Sequence, residues 1–377
     1  MFVQFITYRF LPISWQCVFH KVAIGLGLCL QLLISGQTLA GDCAFVDGNN
    51  FPADWKLPSK AVDVTTIPNM KIEADAPDSR ALPVYQLTDN TYFLYGNIST
   101  LNENNRGFNA NAGFIVTEDG VVVIDTLGTP KLGRRLISTI RCITDKPIKY
   151  LIVTHNHPDH AYGAAAFLDL EGIIIIAHPG TVDYNHSATL ETSVDYRKDL
   201  LPEDMAGFKP LTAKSYLKAK PFEKQRITLG KEVIEIYNTG RHHSYGDLVV
   251  HQVNQKILWI SDLAFNQRTT YMGDGHSTQI LATQDWLLNT FKDIKLMVPG
   301  HGSVQTPPFP MVAKTHEYVT RMRNAMKEAV ENGISMLDAV QNVEFEDWKN
   351  VPLYEENQRA NANFIYREME KAYFENF

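Results

Sequence analysis

Four potential metal ligands lie within six consecutive positions, directly after an apolar run. Tyr150–Val153 is predicted to be a buried β-strand, and the segment Thr154-His-Asn-His-Pro-Asp-His160 follows it. Loops at the carboxyl ends of strands form the sites of α/β folds. Imidazole and carboxylate groups are costly to crowd together unless a cation takes up their lone pairs. The sequence therefore predicts a metal site at the end of this strand, and a merely polar surface loop is the weaker alternative.

Three later residues repeat this placement one at a time. Each lies shortly after a predicted β-strand, where a single His or Asp is more often a cap or a turn residue. Together with the first cluster, however, they supply the remaining ligands that a pair of divalent ions needs. The three residues are one of the neighbours His242 and His243, together with Asp262 and His301.

Short apolar runs separated by turn residues predict the architecture. Asp119-Gly120 is typical of a hairpin turn, and Pro130 is a suitable first residue for a helix that ends near Arg141. From Pro310 onward the pattern is helical. The predicted strands are Tyr92–Tyr95, Gly113–Val116, Val121–Asp125, Tyr150–Val153, Ile173–Ile176, Arg226–Leu229, Val233–Tyr237, Leu248–Val253, Ile257–Ile260 and Leu296–Val298. Two hairpin-rich β blocks separated by helices indicate an α/β fold, an αββα sandwich of two mixed β-sheets with outer helices.

The first forty residues are predicted to be an export signal. Lys21 precedes an apolar run, Val22–Ile34, and Thr38-Leu-Ala40 is a small-residue cleavage site. We expect cleavage after Ala40 and a periplasmic or secreted protein with no stable membrane span. A single membrane anchor is the alternative.

The rest of the chain divides into three predicted parts. Residues 41–80 are rich in Pro and Asp and are predicted to form an extended N-terminal lead-in. The sandwich occupies 81–305, with a helical insertion at about 180–222 that lacks strand patterns. Residues 306–377 are predicted to be C-terminal helices.

Cysteine use also fits export. After cleavage the chain keeps Cys43 and Cys142, and an even pair in an exported protein favours a disulfide. We therefore expect a bridge between them. Two free thiols are the alternative, because sequence cannot place the two Cα atoms within the ~7 Å that a bridge allows.

The charge balance argues against nucleic acid as a partner. Lys and Arg number 35 against 42 Asp and Glu, a net charge of −7. Basic runs are no longer than pairs such as Arg134-Arg135, whereas a polyanion partner needs a basic stripe. The expected partner is a small-molecule substrate, and the oligomeric state is left open.

In combination, the His-x-His-x-Asp-His cluster, a later Gly-x-x-His, a strand-end Asp and Pro-Gly-His-Gly resemble the motifs of the metallo-β-lactamase superfamily over about residues 90–302. The resemblance implies a site for two zinc ions. Its implied ligands are His155, His157 and His243 for the first ion, Asp159, His160 and His301 for the second, and Asp262 as a bridge. The family spacing selects His243 and not His242. Asp125 matches an early structural Asp that supports the ligands without binding metal.

The family resemblance also implies an activity. We expect an exported zinc-dependent hydrolase, in which a hydroxide between the two ions attacks an ester, thioester, lactone or amide-like substrate. Fe or Mn could replace Zn. Asp159 is expected to orient the hydroxide and to relay a proton to the leaving group, which makes it the catalytic residue.

Asp262 makes the predicted site more similar to the glyoxalase II and lactonase branches than to the antibiotic-degrading ones, so weak or no β-lactam turnover is expected. The export signal, taken together with the runs Asn111–Val116 and Thr144–Ile148 before the His cluster, resembles the exported quinoprotein-relay and sulfur-oxidation-associated members. Two alternatives stay open: a mononuclear-iron persulfide dioxygenase on the same scaffold, and a non-catalytic metal-binding module.

Overall fold

Two β-sheets pack face to face through a shared apolar layer. The computed structural model describes residues 71–213 and 215–375. Phe93 and Ile124 of one sheet meet Ile236, Leu248 and Trp259 of the other in this layer. Two further apolar clusters lie on the outer faces, where helices cover the sheets. This is the αββα sandwich that the sequence predicts.

The first sheet has seven strands in the order β1 to β7. Neighbouring strands are antiparallel from β1 to β4 and parallel from β4 to β7. All four residues of β4 are buried, as expected of a central strand that is covered on both faces. The strands are β1 Tyr85–Thr88, β2 Thr91–Leu94, β3 Ala112–Val116, β4 Val121–Ile124, β5 Ile148–Ile152, β6 Ile174–Ala177 and β7 Ser215–Tyr216.

The second sheet has five strands in the order β12-β11-β10-β9-β8. Its pairings are antiparallel except for β11 with β12. The strands are β8 Lys224–Leu229, β9 Glu232–Gly240, β10 Asp247–Gln252, β11 Ile257–Ser261 and β12 Leu296–Pro299. The hairpin predicted at Asp119-Gly120 is present as β3 and β4. Both sheets contain parallel and antiparallel pairs and are therefore mixed.

Several helices begin at capping residues and carry apolar residues along one face. Helix α1 shows this best: Thr129 accepts a hydrogen bond from the N–H of Leu132, Pro130 is the first residue, and Leu132, Leu136 and Ile140 form its buried face. The helices are α1 Pro130–Ile143, α2 Pro158–Ala161, α3 Thr181–Asn185, α4 Ala188–Leu200, α5 Ser277–Thr290, α6 Pro310–Glu331, α7 Met336–Asn342 and α8 Tyr354–Glu375. Short 3₁₀-helices span Tyr162–Ala166 and Glu346–Trp348.

Two details differ from the sequence-based expectation. The segment 180–222 contains α3 and α4 as predicted, but it also contains β7, which extends the first sheet by pairing with β6. The prediction that this segment lacks strands is therefore wrong. Helix α5 was not predicted, and it packs with the C-terminal helices against the second sheet.

Several expectations involve residues outside the described ranges. These are the export signal, its cleavage after Ala40 and most of the lead-in at 41–80. Cys142 is disulfide-bonded, but its partner lies outside the described residues, so the pairing with Cys43 stays a prediction. Among the residues that are described, no helix has both the length and the apolar character needed to cross a bilayer. The boundaries near 81 and 305 also stay predictions.

Candidate metal centre

The seven predicted ligands come together at one edge of the sandwich, although they follow strands of both sheets. Each side chain offers one ligand atom, and within each of two groups these atoms lie within 4.8 Å of one another. The first group is His155, His157, His243 and Asp262, and the second is Asp159, His160 and His301. Each group could hold a metal ion. The individual ligand roles stay predictions.

Asp262 connects the two groups. Its Oδ2 atom lies 3.1 Å from Nε2 of His243 in the first group and 3.2 Å from Nε2 of His301 in the second. Its Oδ1 atom lies 3.3 Å from Nε2 of His160. A carboxylate in this position faces both places where an ion could bind.

The donor atoms fit divalent ions. Several buried ring nitrogens and one carboxylate oxygen have no hydrogen-bond partner among the described residues, and orphaned polar atoms of this kind are rare in proteins. These atoms are Nε2 of His155, Nε2 of His160, both ring nitrogens of His243, and Oδ1 of Asp262. A mixed set of imidazole nitrogens and carboxylate oxygens suits zinc and other first-row divalent ions.

Asp125 links the ends of β4 and β5 to the first ligands. Its carboxylate accepts hydrogen bonds from the N–H and the hydroxyl of Thr154, both at 2.8 Å. The same carboxylate lies 2.9 Å from Nδ1 of His160, which directs Nε2 of that ring toward Asp262. Asp125 has a positive φ of 59°, and these contacts hold this strained conformation in place. The geometry suits the supporting role implied by the resemblance.

A second carboxylate fixes the loop that carries His243. Asp247 accepts hydrogen bonds from three consecutive backbone N–H groups, those of His242, His243 and Ser244, at 2.9 to 3.1 Å. The loop is thereby closed with the His243 ring beside Asp262. His242 is also buried, with both ring nitrogens free of hydrogen bonds within the described part of the chain, but it joins neither ligand group.

His301 follows β12, and contacts to Nδ1 and to the face of its ring hold it in place. Its Nδ1 atom lies 2.8 Å from the carbonyl oxygen of Asn109 and 3.0 Å from Nη1 of Arg268, and Phe265 stacks on its ring. The preceding residue must be Gly300, because a Cβ there would lie 1.9 Å from Oδ1 of Asp262.

The electrostatics keep the carboxylates ionised. Burial raises the pKa of Asp262, but the nearby His301, His160 and His243 outweigh it and hold the pKa well below its usual value. Burial also raises the pKa of Asp159, but the nearby His160 and His301 outweigh this effect and lower the pKa to about 2. In contrast, burial dominates at His155 and lowers its pKa, so that ring is neutral and can act as a ligand.

The ligands differ in how far they are exposed to solvent. His160 is fully buried, and the His155 and His243 side chains are each 1% exposed. The side chains of Asp159 and His157 are more accessible, at 16% and 10% exposed. Asp274, a carboxylate that no sequence motif indicates, lies beside His157. Asn109 also approaches here, donating a hydrogen bond from Nδ2 to Oδ2 of Asp159 at 3.1 Å.

A family comparison agrees with this arrangement. The family model described as the metallo-beta-lactamase superfamily matches residues 105–301, more than half of the chain. That range includes every residue of both ligand groups.

Individual relatives align over smaller parts. A linear primary-alkylsulfatase from Pseudomonas sp. (strain ATCC 19151) is 37% identical over 59 residues, which are 16% of this chain and 11% of that protein. A metallo-beta-lactamase type 2 from Bacillus sp. (strain 170) is 22% identical over 191 residues, 50% of this chain and 65% of that protein. The chain thus spans only part of the length of both relatives.

A solved structure shares the fold. The stereoselective inverting sec-alkylsulfatase Pisa1 from Pseudomonas sp. superposes with a TM-score of 0.61 at 15% identity, over 82% of this chain and 54% of that one. The sandwich, the two ligand groups at its edge and the family match lead to one conclusion: the chain belongs to the metallo-beta-lactamase superfamily.

Proposed function

We propose that this protein is a zinc-dependent hydrolase with a dinuclear site, acting on an ester, thioester, lactone or amide-like bond of a small molecule. The observation that carries the proposal is the position of Asp262, which lies within 3.1 to 3.3 Å of ring nitrogens from both ligand groups. A mononuclear site would not need a carboxylate between two sets of ligands.

The proposed ligands divide as the two groups do. His155, His157 and His243 would hold one ion, and Asp159, His160 and His301 would hold the other. Asp262, whose Oδ2 atom lies 3.1 Å from His243 and 3.2 Å from His301, would contribute to both. Bound divalent ions would supply Lewis acidity and would lower the pKa of a coordinated water to about 7. Iron or manganese could occupy the same nitrogen and oxygen donors.

Asp159 is proposed as the catalytic residue. It is among the more accessible groups of the cluster, with a side chain that is 16% exposed. Its pKa of about 2 means that the carboxylate is ionised at neutral pH. In the proposed role this carboxylate would accept a proton at Oδ from the attacking water and pass it to the leaving group. Asn109 holds the Oδ2 atom through its side-chain amide and so limits the orientations that the carboxylate can take.

The relatives widen the set of substrates to be tested. One relative is named as an alkylsulfatase and another as a β-lactamase. Sulfate esters and β-lactams should therefore be tested as substrates together with thioesters and lactones. We expect weak or no β-lactam turnover. We further propose that the protein is exported, which the N-terminal sequence supports and cell fractionation tests. The runs Asn111–Val116 and Thr144–Ile148 additionally support a relationship to the quinoprotein-relay and sulfur-oxidation-associated members.

The decisive experiment combines metal analysis with a substrate screen. Purified protein should contain zinc and should hydrolyse at least one of the tested compounds, which are thioesters, lactones, sulfate esters and β-lactams. It should lose this activity with a chelator and regain it when zinc is added. One iron per chain with oxygen-dependent persulfide oxidation would instead support the dioxygenase alternative. Metal binding with no turnover in either assay would support a non-catalytic module.

A further inference from the structure

The side chain of Asp274 holds the ring of His157. Oδ2 of Asp274 lies 3.1 Å from Nε2 of His157, a hydrogen-bond distance for a charge-assisted pair. Both groups are largely covered, with side chains that are 23% and 10% exposed. Because Nε2 is occupied by this contact, only Nδ1 of His157 is left to bind an ion.

His155 is oriented in the opposite way. Its Nδ1 atom lies 3.2 Å from the hydroxyl groups of both Thr154 and Ser261, which leaves Nε2 free and buried. Neighbouring ligands of one group therefore present different nitrogens, and for each ring the contact on the other nitrogen sets the choice. A carboxylate beside Nε2 favours the tautomer with the proton on Nε2, and this gives Nδ1 the lone pair that a metal needs.

The loop that carries Asp274 is held by the C-terminal helix α8. Before Asp274, the side-chain oxygen of Asn361 accepts a hydrogen bond from the N–H of Met272 at 2.8 Å, and its amide donates to the carbonyl of Thr270 at 2.8 Å. After Asp274, Glu368 accepts a hydrogen bond from the N–H of Ser277 at 2.9 Å. The loop is thus attached to α8 on both sides of Asp274.

We propose that Asp274 is a positioning residue of the metal centre: it fixes His157 with Nδ1 toward the ion, and α8 holds Asp274 in place through Asn361. This inference rests on the proposed function, because it assumes that His157 is a ligand. It gives the C-terminal helices a part in the site, although α8 supplies none of the seven ligands.

The test measures zinc affinity by competition with a chromophoric chelator, on folded protein, together with the absorption spectrum of the cobalt(II)-loaded form. Asp274→Ala should lower the affinity for one of the two zinc ions by about 10- to 100-fold, as removal of such supporting partners does. It should also change the absorption spectrum of the cobalt(II) form. Asp274→Asn keeps a hydrogen-bond acceptor, so its zinc affinity should fall less than that of Asp274→Ala. Asp285→Ala is the matched control, because Asp285 forms a surface pair with His316 at 3.5 Å, away from the ligands, and this variant should bind zinc like the wild type.

A double-variant cycle tests the part played by α8. Asn361→Ala should lower the affinity for the same zinc ion when Asp274 is present. In the Asp274→Ala background it should cause no further loss of affinity. Independent, additive losses would contradict the role assigned to Asn361. Melting temperatures of the metal-free variants separate this effect from a general loss of stability.

The outcomes distinguish this inference from the proposed function. If His157→Ala loses an ion while Asp274→Ala binds both ions as tightly as the wild type, the positioning role is overturned and the ligand set stands. If His157→Ala keeps both ions, the ligand assignment itself is wrong, and the inference fails with it.

Discussion

Oδ1 of Asp262 lies 3.3 Å from Nε2 of His160, although the two residues follow strands of different sheets. Asp262 comes directly after β11 of the five-stranded sheet, and His160 lies in α2 after β5 of the seven-stranded sheet. The candidate centre is therefore built across the edge of the sandwich. Its geometry depends on how the two sheets pack, and no single motif can assemble it alone.

Replacing a histidine of the first group should remove metal. His157→Ala and His243→Ala each take away one imidazole from the same group, and metal affinity should fall steeply because the remaining ligands hold zinc poorly. Elemental analysis of the folded proteins measures the loss, with His316→Ala as a surface control. Full occupancy in both variants would contradict the assignment.

Asp159→Asn should separate metal binding from turnover. The amide keeps an oxygen that can face an ion but cannot accept a proton, so we expect retention of metal together with a fall in kcat of about 10²- to 10⁴-fold, the usual contribution of general acid–base catalysis. Steady-state kinetics and metal content are measured on the same sample. Unchanged activity with both ions present would refute the catalytic role.

Gly300→Ala should disturb the centre without removing a ligand. The added Cβ would lie 1.9 Å from Oδ1 of Asp262 and 2.9 Å from Cε1 of His160, so one of these groups must move. We expect lower zinc affinity and a loss of stability of about 1–3 kcal/mol, as is typical of overpacking. Gly333→Ala, in an open position with nothing within 4 Å, is the comparison for zinc affinity, and equal zinc binding in the two variants would argue against the crowding.

The sequence predicts the ligands well because their signals are local. The His-x-His-x-Asp-His cluster and the strand-end residues can be identified from short motifs, and the hairpins from turns such as Asp119-Gly120. Helix α5 and Asp274 depend on distant contacts instead. The first N–H groups of α5 are capped by Glu368, 91 and 90 positions away, and Asp274 lies between two glycines in what resembles an ordinary turn. Strand β7 has only two residues and exists through its pairing with β6.

Glu368 should make stability depend on pH. Burial raises its pKa, but hydrogen bonds from His276 and Ser277 outweigh it, so the folded-state pKa is lowered. A lowered folded-state pKa gives stability that is present above the unfolded value of about 4.3 and is lost as the pH falls toward the folded value.

The corresponding variant is Glu368→Gln, which should be less stable than the wild type by about 1–2 kcal/mol at pH 7, the usual effect of losing a helix cap. The difference should shrink as the pH falls below about 4.3. Denaturant unfolding at several pH values measures it, with Glu370→Gln on the same helix as the control. A gap that stays constant from pH 7 to pH 3 would exclude the charge as its cause.

The number of metal ions per folded chain, in the wild type and in Asp262→Asn, tests the central claim most directly. Two dications at a separation of a few ångströms repel strongly, and a carboxylate between them offsets this repulsion. We therefore predict about two ions per wild-type chain, and about one per Asp262→Asn chain with most of the turnover lost. An Asp262→Asn protein with two ions and normal activity would contradict the dinuclear site proposed here.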